Sequence, residues 1–240
     1  MLISTNIIVF FVFSIIIILF YLFAFRMNWR EVLDPFLIRF VQKIPSYVTP
    51  NHISIAGFLI FLVAGLFLYL VKYSPFFSFG FAVFIILYGI SDSLDGILAR
   101  TRNQISKSGI FLDQTSGKLG ELFVLFAIIL GGYVRAEFVV IIMLCRLFYS
   151  YINMQSLALT GGKFSRPESS RWFILTIAFA LILFFIKFFG LEILNIFGRQ
   201  IKSLDVLFLL ISFYYLGITF YRAGLLWKKL IRLDQEEKHL

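Results

Sequence analysis

The sequence predicts an all-α integral membrane protein: a six-helix bundle preceded by one extra N-terminal transmembrane helix and by a helix lying on the cytoplasmic surface. Composition is the first reason. Of 240 residues 60% are apolar and 19% aromatic, with 32 Phe and only 15% charged residues, more apolar surface than a soluble domain of this size can hide. The second is periodicity. Apolar runs long enough to span a bilayer lie at 2–25, 52–72, 76–99, 109–133, 136–160, 170–190 and 204–227. The third is the placement of basic residues between those runs. Arg26, Arg30, Arg39, Lys43, Arg100, Arg102, Lys107, Lys118, Lys163, Arg166, Arg171, Arg222, Lys228, Lys229, Arg232 and Lys238 collect on one side, against Lys72, Arg135, Lys187, Arg199 and Lys202 on the other. The richer side is cytoplasmic.

The elements follow in order. Residues 1–33 form an N-terminal anchor and basic connector. No Lys or Arg precedes the first apolar run, no small-residue cleavage site follows it, and Arg26-Met-Asn-Trp-Arg30 closes it. That pattern describes a retained helix with its N-terminus outside, in an inner or plasma membrane. Residues 34–46 are too short to span, and their apolar and basic positions alternate at near-helical spacing, as in a helix lying on the membrane surface. Thr49-Pro50-Asn51 turns the chain into the next span. Residues 34–228 read as one membrane domain, and 229–240 as a short polar cytoplasmic tail. The single Cys145 excludes an intramolecular disulfide. The net charge of +9 is spread between apolar runs rather than gathered on one face, which suits anionic lipid head groups and not nucleic acid.

One stretch carries chemistry. Asp92, Asp95, Gly96 and Ala99 fall at i, i+3, i+4 and i+7 and share one helix face. A short polar turn then leads to Gly109, with Asp113 one helical turn further on, so the turn folds Asp113 back toward the other two carboxylates. An ionised group within a membrane helix costs at least ~2.5–3.5 kcal/mol at the bilayer centre, and the chain has only 13 acidic residues. Three carboxylates gathered at helix ends, with no His or Cys beside them, point to a hard divalent cation, Mg²⁺ or Mn²⁺, and not to zinc. Gly96 and Ala99 have two readings, close helix packing or a hollow that admits a ligand.

These residues resemble the signature of the CDP-alcohol phosphotransferases, membrane enzymes of phospholipid synthesis. Asp92-x2-Asp95-Gly96-x2-Ala99-Arg100-x8-Gly109-x3-Asp113 reproduces seven of its eight fixed positions. Pro50-Asn51 is similar to the dipeptide before the family's first core helix, and Tyr149-Ser-Tyr151 with Arg166-Pro167-Glu168 resembles the acceptor region of its inositol-phosphate-using branch. The resemblance covers residues 36–228 and leaves the anchor outside it. It implies that Asp92, Asp95 and Asp113 hold two divalent ions on the diphosphate of a CDP-linked lipid. It also implies that Asn51, Gly96, Ala99, Arg100 and Gly109 line the nucleotide pocket, that a small alcohol displaces CMP, and that the protein forms a homodimer.

Two departures qualify this. The eighth position, where the family has the aspartate that deprotonates the acceptor, is Gly117. General-base catalysis is worth ~10²–10⁴-fold. Glu121, on the same helix face but ~6 Å further along at 1.5 Å rise per residue, is a substitute base, and Glu168 a second candidate; a glycine here also widens the site. After Tyr151 the chain reads Ile152-Asn153-Met154-Gln155-Ser156 where the inositol-phosphate branch has arginines, which argues against a phosphorylated acceptor. Arg146, inside a predicted span, reads either as functional or as a structural ion-pair partner. Three functions are compatible with the residues: a CDP-lipid-dependent phosphatidyltransferase, a catalytically silent relative that binds a metal–nucleotide or lipid head group, and a transporter. The absence of paired Gly/Pro breaks at mid-span argues against the third.

Overall fold

The structure, a computed structural model, describes residues 29–160, 169–196 and 199–237. The predicted anchor 2–25 and Lys163, Arg166 and Glu168 therefore lie outside the described residues. Among the described residues seven helices follow in order: α1 Trp29–Val41, α2 Pro50–Leu70, α3 Phe77–Thr101, α4 Lys107–Leu130, α5 Ala136–Thr160, α6 Ser169–Phe188 and α7 Ser203–Glu237. Four of them, α2, α3, α5 and α7, are long and apolar enough to cross a membrane. Helix α4 is as long, but carries Asp113, Lys118 and Glu121; in α6 the apolar stretch is Thr176–Phe188. One departure from an all-helical chain is a two-stranded sheet of β1 Ile193–Ile196 and β2 Arg199–Lys202, in a connector where no strand is expected.

The chain divides into two compact units. The first contains α1–α4 and α6. Helix α1 begins five residues earlier than the predicted surface helix and ends at Val41, running through Pro35. It is also two-faced. Leu37 and Val41 are buried against Ile97 and Leu98 of α3, whereas Phe36 and Phe40 stay exposed. Arg102 fastens the α1–α2 connector by donating to the Val48 carbonyl at 2.7 Å and the Ile44 carbonyl at 2.6 Å.

Helix α2 starts at a reciprocal cap. The Thr49 side chain accepts from the His52 N–H at 3.4 Å, and His52 Nδ1 accepts from the Thr49 N–H at 3.3 Å, with Pro50 at the first helical position. Its buried stripe, Ser54, Gly57, Phe61, Ala64, Gly65 and Leu68, has helical periodicity. The contacts fix direction. Ser54 meets Asp95, Gly57 meets Ser91, Phe61 meets Tyr88 and Phe67 meets Gly80, so α2 and α3 are antiparallel. Phe61 packs over Gly120 and Gly65 faces the Phe123 carbonyl, so α2 and α4 run parallel. Both glycines 80 and 120 exist to admit a phenylalanine ring: an added carbon would lie 2.2 Å from Phe67 and 2.1 Å from Phe61.

The second unit pairs α5 with α7. Arg135 reaches Asp205, Arg146 reaches Tyr215, and Asn153 accepts from Arg222, so these helices are parallel and in register along their length. Arg146 is buried, with its Nη1 donating to the Tyr215 hydroxyl at 3.2 Å. Tyr149 is buried under the Arg222 guanidinium, and Tyr151 is exposed.

Candidate active site

Three helix ends of the first unit build the site. Helix α3 closes with the Gln104 N–H donating to the Ala99 carbonyl at 2.8 Å, and Asn103 takes the left-handed conformation at φ 53° that such an ending requires. The chain then re-enters helix at Ser106, whose side chain accepts from the Gly109 N–H at 3.0 Å. This tight reversal brings the start of α4 beside the end of α3 and the start of α2. Asn51 lies directly against Gly109: a side-chain carbon at 109 would stand 3.2 Å from Asn51 Oδ1 and 3.0 Å from Ser106 Oγ. Arg100 folds back along its own helix, so a carbon at Gly96 would meet its Nη1 at 3.4 Å. Ala99 is half-buried beside them.

Asp95 is the buried member of the carboxylate group, accepting from the Ser54 hydroxyl at 2.6 Å. Asp92 and Asp113 are half-buried, and both lie within electrostatic range of the Asp95 carboxylate. Ser116 and Ser91, which flank them, donate to the Asp113 and Ile53 carbonyls. Asp92 and Asp113 thus lie within electrostatic range of Asp95, at the ends of α3 and α4 that carry Gly96 and Gly109. Among the described residues no three His, Cys, Asp or Glu side chains stand close enough to enclose an ion. The oxygen-only donors suit a mode of Mg²⁺ and Mn²⁺ binding in which one or two carboxylates share each ion with water and substrate phosphates.

Glu121 is buried and ion-paired with Lys118 at 3.2 Å. The space over Gly117 is occupied. The Tyr88 hydroxyl stands 3.0 Å from where a side-chain carbon at 117 would begin, so the glycine admits a phenol rather than widening the site. Tyr88 stacks on Phe61 with ring centroids 4.3 Å apart, and its hydroxyl is within electrostatic range of Asp92, Asp113, Glu121 and Asp95. Neither Tyr88 nor Ser54 stands out in the sequence as a site residue. Helical spacing carries a signal for the first, since Tyr88 is one turn before Asp92 on the same face; nothing local marks the second.

Residues 47–227 match the CDP-alcohol phosphatidyltransferase family, three-quarters of the chain and all the elements just described except α1 and the end of α7. The chain belongs to that family. Family members are generally dependent on divalent metal ions. Relatives include the archaetidylinositol phosphate synthase of Pyrococcus horikoshii, 40% identical over 88 residues that make up 37% of this chain and 44% of that protein. Choline/ethanolaminephosphotransferase 2 of Arabidopsis thaliana is 34% identical over 99 residues, 38% of this chain and 25% of that one. An uncharacterised protein of Aquifex aeolicus is 30% identical over 156 residues, 61% of this chain and 74% of its own length. The chain spans less than half the length of the first two. It is a membrane protein of a phospholipid-synthesising transferase family.

Proposed function

We propose that the protein transfers a phosphatidyl-type group from a CDP-linked lipid to a small alcohol, releasing CMP, at the cytoplasmic face of an inner or plasma membrane with its N-terminus outside. The observation that carries this reading is the placement of Asp92 and Asp95 at the end of α3 and of Asp113 at the start of α4, with Asp92 and Asp113 in electrostatic range of Asp95 and glycines and Asn51 alongside, in a member of this family. The three aspartates hold two divalent ions, Mg²⁺ or Mn²⁺. When bound, these ions supply charge neutralisation for the diphosphate and for the oxygens entering and leaving phosphorus. The residues of the chain do the rest. Asn51, Gly96, Ala99, Arg100 and Gly109 accept the nucleotide, the glycines by leaving room and Arg100 by its charge. Ser54 fixes the Asp95 carboxylate through the 2.6 Å hydrogen bond. Positioning and charge stabilisation are most of what phosphoryl transfer needs from a protein. Glu121 is the terminal proton acceptor in place of an acid at 117. The partial similarity to an archaetidylinositol phosphate synthase supports an acceptor that is a small polar alcohol.

The test is CMP release by the purified protein in vesicles containing CDP-diacylglycerol, Mg²⁺ or Mn²⁺ and a pool of alcohol acceptors, beside the Asp92→Asn variant. Release that Asp92→Asn abolishes supports the transferase. Intact CDP-lipid binding without release identifies a silent relative. Binding indifferent to Asp92→Asn removes the metal site altogether.

A further inference from the structure

We propose that Tyr88 is a catalytic residue that carries the acceptor's proton from the position above Gly117 to Glu121. The inference rests on the transferase reading and names the group that replaces its missing acid.

Gly117 leaves the Tyr88 hydroxyl room that a side chain there would press on. With the hydroxyl oxygen 3.0 Å from the first possible side-chain atom, a side chain at 117 and the Tyr88 oxygen compete for one volume. The ring that delivers this oxygen is held on two sides. Phe61 stacks on it at 4.3 Å, and Phe61 is itself seated over Gly120. Gly57 flanks its edge: a carbon there would stand 3.7 Å from Tyr88 Cδ2. The oxygen is thus delivered to a fixed point above Gly117, within electrostatic range of Asp92 and Asp95 on its own helix and of Asp113 and Glu121 on α4.

Neighbouring hydroxyls have partners: Ser54 donates to Asp95, Ser91 to the Ile53 carbonyl and Ser116 to the Asp113 carbonyl. Among the described residues the Tyr88 hydroxyl has none, so both its lone pairs and its proton are available to an incoming alcohol and a carboxylate. A phenol titrates ordinarily near ~10, so it enters the reaction neutral and can only relay. Glu121 lies one helical turn, ~6 Å of rise, beyond 117, and a phenol held over 117 within electrostatic range of it shortens the path the proton must travel.

The step balances. The acceptor O–H breaks and its proton forms a new phenol O–H as the original phenol proton passes to the Glu121 carboxylate. The acceptor oxygen bonds to the lipid-side phosphorus as the bond from that phosphorus to CMP breaks. Glu121 later returns its proton to water, and Tyr88 ends as it began.

The experiment uses the full chain in phosphatidylcholine vesicles carrying CDP-diacylglycerol, with Mn²⁺ binding followed by electron paramagnetic resonance and CMP release measured with a pooled alcohol panel. Tyr88→Phe keeps the ring stack and removes only the oxygen. The expected result is unchanged Mn²⁺ binding with CMP release lowered ~10²-fold or more, the lower end of what general-base catalysis contributes. Tyr88→Phe also vacates the space over 117, so adding Gly117→Asp to it restores release at least tenfold. Gly117→Asp alone, with the phenol in place, gives no gain. The wild type shows a curved dependence of rate on deuterium fraction, from two protons in flight, and the double variant a linear one.

Unchanged release by Tyr88→Phe overturns the relay and leaves the transferase standing. Loss of Mn²⁺ binding together with release shows the hydroxyl building the site, and also overturns it. A wild type that binds Mn²⁺ and CDP-lipid but releases no CMP overturns the relay while sparing the nucleotide site. A wild type that binds neither overturns the proposed function itself.

Discussion

Gly120→Ala should destabilise the first unit through one ring. The added carbon would lie 2.1 Å from Phe61 Cδ1 and 2.7 Å from both Cε1 and Cγ. Carbon atoms in contact sit ~3.5–4.0 Å apart, so ring and helix must separate by roughly 1.5 Å. Phe61 is only 2% exposed, and its other side is stacked on Tyr88, so it has nowhere to retreat without displacing that ring. Overpacking of this kind costs about 1–3 kcal/mol, and loss of a good aromatic pair adds ~0.5–1.5 kcal/mol. Against this, alanine improves on glycine in a helix by ~0.8–1.0 kcal/mol. The expected net loss is ~1–3 kcal/mol, read as a shifted unfolding midpoint in mixed detergent micelles. In a Phe61→Ala background the collision disappears and only the helix preference remains, so the same substitution there should stabilise. A loss that is equal in both backgrounds would refute the packing argument, because it would place the cost somewhere other than the ring.

Other perturbations follow from single contacts. Ser54→Ala removes the hydroxyl that orients the Asp95 carboxylate at 2.6 Å; Mn²⁺ affinity in CDP-lipid vesicles should fall ~10–100-fold, as it does when a ligand's hydrogen-bond partner is lost, and an unchanged affinity would exclude Asp95 as a ligand. Arg102→Met leaves the Ile44 and Val48 carbonyls without their guanidinium donor. Hydrogen bonds to charged groups contribute ~1.5–3 kcal/mol, so protease cleavage within residues 42–49 should accelerate by tenfold or more while cleavage of the 228–237 segment stays the same. In the second unit, Asp205→Ala breaks two bonds to Arg135, 2.8 Å from its backbone N–H and 2.7 Å from Nε. The Arg135 side chain is 56% exposed and can rehydrate, so the unfolding loss should be ~1–2 kcal/mol rather than that of a fully buried pair.

The linear chain states much of this protein by itself. Membrane residence and helical class follow from composition, because apolar runs of spanning length have no other stable home. The carboxylate cluster is legible because helical spacing puts Asp92 and Asp95 on one face, and because a turn as short as 102–106 can only fold Asp113 back. Helix boundaries were less secure. Helix α1 is displaced by five residues, since apolar alternation alone does not say where a helix begins, and the β1–β2 pair has no period-2 pattern of its own to announce it. What tertiary structure alone decided is what fills the space at each glycine. Gly117 reads as a loss in sequence, an acid replaced by nothing. In the fold it is one half of a pair with Tyr88, twenty-nine positions earlier on the opposing helix. Local spacing predicts which residues share a helix face. Which side chain from another helix enters the gap depends on the register of α3 against α4, and only packing sets that.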